Sequence, residues 1–382
     1  MIQELPILDL SWSDTAERPL LLEQLRSALY DIGFLYIKNT RVPPDIVSRL
    51  TDLLPTLFAL PDHEKAKLSK LNSPHFLGYS GFAEETTLGK QDLREQFDLA
   101  TELPVVYHPG SEIEGKFPSD SDAKRDFTQL YWRLRGPNQW PHVPEFREAF
   151  VAYHDAVQEL SYRFVHLIEE ALSIPIGTFD HFFGRQAPVG NADGVLFNGS
   201  SRSFLPPQHR IKLLRYPPSS NPESSQGVGA HKDSSGWLTF LLQVGNEPGL
   251  EVLSSDGHWI SAPPIDGTFV VNFGNAFEAA TEGAVKATTH RVVAPGPSNS
   301  VRYSIPFFQG LPLDMTVSEV QNYIPDHVRR MRRTKKDLED VSAFLDPRWD
   351  SLGASQLRKW IRSHREVGEK WYGRKVVEYY AG

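Results

Sequence analysis

The sequence predicts a mainly β fold: a double-sheet core of the jelly-roll kind, with a helical N-terminal part and a C-terminal helical cover. Three features predict it. Short β-type runs recur from about Ile211 onward, at 211–216, 237–244, 250–253, 268–273, 291–293 and 303–308. Turn signals separate them: Gly245-Asn246-Glu247-Pro248-Gly249, Asp256-Gly257 and Pro295-Gly296-Pro297. Helical periodicity dominates on both flanks of this region.

The opening reads as strand, helix, strand. Residues 5–10 alternate, and 21–32 carry apolar side chains at helical spacing until Gly33 stops them. Phe34-Leu35-Tyr36-Ile37 follows as a short buried strand. Pro43-Pro44 opens a second helix with Ile46, Val47, Leu50, Leu53 and Leu54 on one stripe. Residues 72–145, rich in Gly, Pro and aromatics, read as long connections around a pocket, with Arg94 to Asp98 as a strand edge and brace. Residues 150–172 form an amphipathic helix. The tail from about Ser318 turns helical again, anchored by Trp349, Leu352, Leu357, Trp360 and Ile361. Three segments are expected, 1–185, 186–315 and 316–382, acting as one catalytic unit.

Bulk properties narrow the function. The 382 residues can bury a large core, and 40% hydrophobic with 23% charged residues is ordinary for a globular chain. A net charge of −8 argues against nucleic acid as a main partner. No apolar run reaches the roughly 18 residues of a membrane span. The first residues lack the basic start and apolar core of a secretory signal, so a cytoplasmic enzyme without membrane association is expected. There is no cysteine. Disulfides, thiolate metal sites, iron–sulfur clusters and thiol nucleophiles are therefore excluded, and any transition metal must take nitrogen and oxygen ligands.

His231-Lys232-Asp233 supplies two such ligands. On an extended backbone, residues i and i+2 share a face, so imidazole and carboxylate converge while Lys232 points away. His290, 57 positions after Asp233, is the candidate third ligand and opens the run His290-Arg291-Val292-Val293. Two imidazoles and one carboxylate make the facial set that leaves adjacent iron positions open. Asn272 and Asn275 read as structural.

The surrounding motifs resemble, in order along almost the whole chain, the isopenicillin N synthase-like iron(II)/2-oxoglutarate-dependent oxygenases. They are Leu5-Pro6-Ile7-Leu8-Asp9-Leu10, Gly33-Phe34-Leu35-Tyr36-Ile37, Gly78-Tyr79-Ser80-Gly81, Arg94-Glu95-Gln96-Phe97-Asp98, Leu214-Arg215-Tyr216-Pro217-Pro218, Gly229-Ala230-His231-Lys232-Asp233, Val271-Asn272-Phe273-Gly274-Asn275, and His290-Arg291-Val292-Val293 with Arg302-Tyr303-Ser304-Ile305-Pro306-Phe307-Phe308. The resemblance implies a double-stranded β-helix core with Fe(II) on His231, Asp233 and His290. It implies 2-oxoglutarate as cosubstrate, held at its distal carboxylate by Arg302 and Ser304, an i, i+2 pair on one strand face. Tyr216 is a further cosubstrate contact, and Lys212, on the same face, could approach it. Leu214 stands where plant members often carry Asn, so a second carboxylate contact differs here.

The implied reaction is oxidation of a small-molecule metabolite by dioxygen, with release of succinate and CO2 and with ascorbate as a stimulant. Hydroxylation, desaturation and cyclisation are all open, and secondary metabolism is the expected setting. Tyr79, Phe197 and Phe308 are expected on the substrate side, and 186–207 reads either as a lid or as a plain surface loop. Two rivals stand beside this reading. One is an iron oxidase of the same fold that uses no 2-oxoglutarate; the other is a non-catalytic ligand-binding protein that keeps the fold.

Overall fold

A computed structural model describes residues 4–87, 89–109, 125–185, 204–220, 226–233, 236–331 and 351–381. The strands in chain order are β1 (Ile7–Asp9), β2 (Phe34–Lys38), β3 (Gly78–Ser80), β4 (Thr86–Thr87), β5 (Lys90–Gln91), β6 (Glu95–Ala100) and β7 (Arg210–Tyr216). After them come β8 (Gln226–His231), β9 (Leu238–Val244), β10 (Leu250–Leu253), β11 (Trp259–Ser261), β12 (Thr268–Phe273), β13 (His290–Val293) and β14 (Arg302–Gln309). An eight-stranded sheet runs β1-β2-β12-β9-β14-β7-β6-β3 and a four-stranded one β11-β10-β13-β8; β4 and β5 form a small ribbon.

The two sheets close on each other over Phe34, Tyr36, Leu214, Val228, Val252 and Val292, all buried. The large sheet is covered on its other face by the Phe146–Ala171 helix, which meets β9 and β14 through Phe164 against Phe240 and His154 against Phe307. Because both faces are covered, β12 (TFVVNF) is buried at every residue and reads as a continuous run rather than an alternating one. Each of its Phe and Val side chains taken out of water contributes about 1.5–3 kcal/mol.

The expected elements form, with these main differences. The strand β8 is absent from the sequence reading because Gly227 and Gly229 weaken its β signal. The glycine is required: a Cβ at Gly227 would stand 2.9 Å from the Val292 carbonyl oxygen and 3.2 Å from the Tyr216 ring. The expected edge strand at Arg94 to Asp98 lies inside the sheet instead. β6 pairs with β7 along its length and with β3 from Gln96 to Asp98, and all six of its residues are buried. The long helix begins at Phe146 rather than 150, after Glu145 in a left-handed turn (φ 60°). Trp349 and most of 186–207 lie outside the described residues.

The C-terminal cover is built around the Leu352–Ser363 helix, capped by Ser351, whose hydroxyl accepts from Ala354 N at 3.0 Å. Its apolar residues Leu357, Trp360 and Ile361 pack with Phe76, Leu134 and Tyr372 in a third cluster. This cluster brings the helix across the mouth of the space between the sheets.

Candidate metal centre

His231 is the last residue of β8 and His290 the first of β13, and the antiparallel ladder sets them directly opposite each other. Asp233, two residues beyond His231, joins them. One donor atom from each of the three lies within 4.8 Å of the others. Nε2 of His231 stands 3.9 Å and Nε2 of His290 3.8 Å from Asp233 Oδ1, too far for hydrogen bonds.

The remaining atoms of the trio are committed elsewhere. His231 Nδ1 bonds the Gly229 carbonyl at 2.7 Å, and His290 Nδ1 bonds the Thr288 carbonyl at 3.0 Å. A carbonyl can only accept, so both Nδ1 atoms carry hydrogen and both Nε2 lone pairs are bare. Asp233 Oδ2 accepts from Thr239 Oγ1 at 2.6 Å and Asn272 Nδ2 at 2.7 Å, leaving Oδ1 open. Those two donors face each other across the β9–β12 ladder, so sheet register aims the carboxylate. Burial and the neighbouring His290 push the His231 pKa down to about 3, against the pull of Asp233. Burial would raise Asp233, but the two histidines and the two hydrogen bonds outweigh it and hold the carboxyl at about 2. Two neutral imidazoles and one carboxylate, each with one free donor atom, are the state in which a divalent ion binds.

Lys232 points away as expected, to Glu278 at 3.1 Å. The Phe34 ring meets His290 edge-on at 5.0 Å between centroids and backs that imidazole from β2.

On β14, Arg302 is 1% exposed. Its Nη1 donates to Ser304 Oγ at 3.4 Å and its Nη2 to Gln243 Oε1 at 2.9 Å, while Nε is buried with no hydrogen-bond partner among the described residues. Tyr216, opposite Arg302 in the β7–β14 ladder, places its ring 5.0 Å from the guanidinium. Burial lowers the Arg302 pKa and Tyr216 opposes the shift. An incompletely satisfied buried guanidinium beside a hydroxyl fits a carboxylate. Gly249 (φ +154°) lies beside the arginine stem, and a Cβ there would stand 2.7 Å from the Val293 carbonyl oxygen.

Both groups face one cavity of about 600 Å³ between the sheets, large enough for a cosubstrate and a small molecule. Tyr216, Lys212, Ser304 and Phe308 also line it. The Lys212 ammonium, however, lies 3.6 Å from both Glu85 and Asp98, and burial pushes its pKa down to about 8 against those two carboxylates. Tyr79 is not among the lining residues; its hydroxyl donates to Glu95 Oε2 at 2.6 Å and its ring packs on Phe97. Phe197 lies outside the described residues. Sequence reasoning missed Thr239 and Gln243 and took Asn272 as merely structural. A polar residue within an otherwise apolar strand was the available signal at all three.

The fold and this constellation define a class, the iron(II)- and 2-oxoglutarate-dependent oxygenases, and the chain belongs to that superfamily. Residues 207–310 match the family described as the 2OG-Fe(II) oxygenase superfamily, and 5–143 match the one described as non-haem dioxygenase in morphine synthesis N-terminal. Similar proteins include the 2-oxoglutarate-dependent dioxygenase frbJ of Dothideomycetidae sp. (strain 11243), 39% identical over 377 residues, covering 96% of this chain and 91% of that one. A 2-oxoglutarate-dependent dioxygenase of Gibberella zeae is 31% identical over 385 residues, with 96% and 91% covered. Among solved structures, the dioxygenase for auxin oxidation in rice shares the fold, with a TM-score of 0.57 at 24% identity, covering 85% of this chain and 87% of that one. The protein is thus a dioxygenase that uses Fe(II) and 2-oxoglutarate.

Proposed function

We propose that His231, Asp233 and His290 hold the iron, that Arg302 with Ser304 grips the distal carboxylate of 2-oxoglutarate, and that the oxidised substrate is a small-molecule metabolite. One observation carries this reading. Every hydrogen-bonding atom of the three ligands is committed except the three that face one point, and a buried, partly unmatched guanidinium lies in the same cavity.

The residues divide the work. Gly229 and Thr288 carbonyls fix the imidazole tautomers; Thr239 and Asn272 fix the carboxylate. Gln243 holds the Arg302 fork in plane, and Tyr216 flanks it. When bound, iron(II) and 2-oxoglutarate supply the dioxygen activation that oxidises the substrate and releases succinate and CO2. Plant relatives named homoarginine-6-hydroxylases, 29% identical over 301 residues in one Arabidopsis thaliana case, support hydroxylation of a small molecule as the outcome.

Oxygen uptake with and without 2-oxoglutarate, with succinate measured, tests the cosubstrate. Uptake that never yields succinate would overturn its assignment in favour of an oxidase without 2-oxoglutarate. Arg302→Ala is expected to weaken 2-oxoglutarate binding about 100- to 1000-fold, the cost of losing a buried charge-assisted contact, and to leave iron content unchanged. Equal loss of both would count against this role for Arg302.

A further inference from the structure

The Leu352–Ser363 helix turns Ser355, Arg358, Lys359 and Arg362 toward the cavity, at the i, i+3, i+4, i+7 spacing of one helix face. Its opposite face is the apolar one already described. This basic stripe lines the chamber that contains the proposed metal ligands, with Lys359 and Arg362 open to solvent at its mouth.

Charge balance around the chamber is uneven. On the β6 side, cations and anions match: Lys70 pairs with Glu85 at 2.7 Å and Asp98 at 2.5 Å, Arg94 with Glu85 at 2.9 Å and Asp92 at 3.4 Å, and Lys212 lies between Glu85 and Asp98. Lys232 is taken by Glu278. On the helix side, neither Lys359 Nζ nor the Arg362 guanidinium has a carboxylate or hydrogen-bond acceptor among the described residues. Lys359 has only the Trp360 ring, 5.8 Å from its ammonium.

Position separates Lys359 from the cosubstrate cradle. A smaller cavity adjoins the main one, and the two share Lys212, Asp233, Phe308, Lys359 and Trp360. The smaller one excludes Arg302, Ser304 and Tyr216. Lys359 therefore stands on the Asp233 side of the chamber. With no carboxylate in salt-bridge reach among the described residues, an ammonium at this mouth is free to take its counter-charge from a ligand.

The geometry points to Lys359 as a substrate-binding residue that reads an oxyanion, a carboxylate or phosphate, on the molecule being oxidised, with Arg362 beside it. This rests on the iron and 2-oxoglutarate reading above, because that reading fills the Arg302 end of the chamber and leaves this end for substrate. It makes the substrate an anionic metabolite and gives the C-terminal cover a part in choosing it.

The test uses the full chain loaded with Mn(II) and saturating 2-oxoglutarate under anaerobic conditions. Calorimetry compares hexanoate, 3-phenylpropionate and N-acetyl-leucine with their neutral amides, and adds hexyl phosphate to separate the two oxyanions. At least one anion is expected to bind wild type about tenfold more tightly than its neutral counterpart, with that preference lost in Lys359→Met and kept in Lys359→Arg. Anion binding equal in wild type and Lys359→Met, or no preference for anions in wild type, would overturn the proposal. Titration of 2-oxoglutarate into both proteins comes first: normal binding to both, followed by no effect of Lys359→Met on anion preference, sinks this inference alone, whereas no 2-oxoglutarate binding to wild type sinks both.

Discussion

Two histidine–carboxylate clusters face each other across one cavity and are built on opposite rules. In the first, His231 and His290 stand 3.8–3.9 Å from Asp233, and no hydrogen bond joins them. In the second, His364 Nε2 donates to Glu85 Oε1 at 2.6 Å, and Lys70, Arg94 and Gln96 donate to the same carboxylate. The same side-chain types are held apart in one case and pressed together in the other. Spacing plus the direction of the outer hydrogen bonds, rather than residue identity, distinguishes a seat for an ion from a salt-bridge brace.

The contrast breaks most sharply at the ligands. Asp233→Ala and His290→Ala are expected to lose bound iron and all succinate formation, while His364→Ala keeps a full complement of iron; metal analysis of the purified variants decides. Iron retained by Asp233→Ala would erase the distinction between the clusters.

Next in size is the brace. Glu85→Gln removes one partner of a buried ion network and is expected to destabilise the fold by about 3–5 kcal/mol in denaturant titrations at neutral pH. The Glu85 carboxyl is held well below its ordinary value, because Lys212, Lys70 and His364 outweigh the opposing effect of burial. Its stabilisation is therefore complete above about pH 4.3, the ordinary glutamate value, and fades as pH falls below that. Wild type should lose stability over this acid range and Glu85→Gln should lose less of it; parallel acid limbs would show that the network does not carry the effect.

The smallest effect sharpens the comparison from inside the metal centre. Asn272→Ala leaves every ligand in place but frees Asp233 Oδ2 from one of its two donors. Metal affinity is expected to fall about 10- to 100-fold, read by competition with a chelator, with global stability little changed.

What could be read from the sequence follows the same division. His231 and Asp233 were legible because an i, i+2 pair on extended chain needs no knowledge of the rest of the fold, and His290 because it opens the motif His290-Arg291-Val292-Val293. The strand carrying His231 was not, since its glycines answer to close approach by Val292 and Tyr216 rather than to β propensity. Tyr79 looked like a pocket aromatic, but the sequence does not show Glu95 reaching its hydroxyl. Lys359 stayed hidden because a basic helix face reads as solvated until something is known to lie opposite it. Pairs at i, i+2 on one strand were visible; side-chain contacts between separate elements were not.

The position of β2 bears on how this protein can be dissected. That strand pairs with β12 from Phe34 to Lys38 and also backs His290 with an aromatic edge, although it precedes the oxygenase-family match at 207–310 by well over a hundred residues. A fragment cut to that match would leave both margins of its main sheet bare, having lost β6 and β3 as well, and His290 without its aromatic backing. The recognisable catalytic stretch is a unit of ancestry, not of folding, and expression of it alone should give a sticky, metal-poor product.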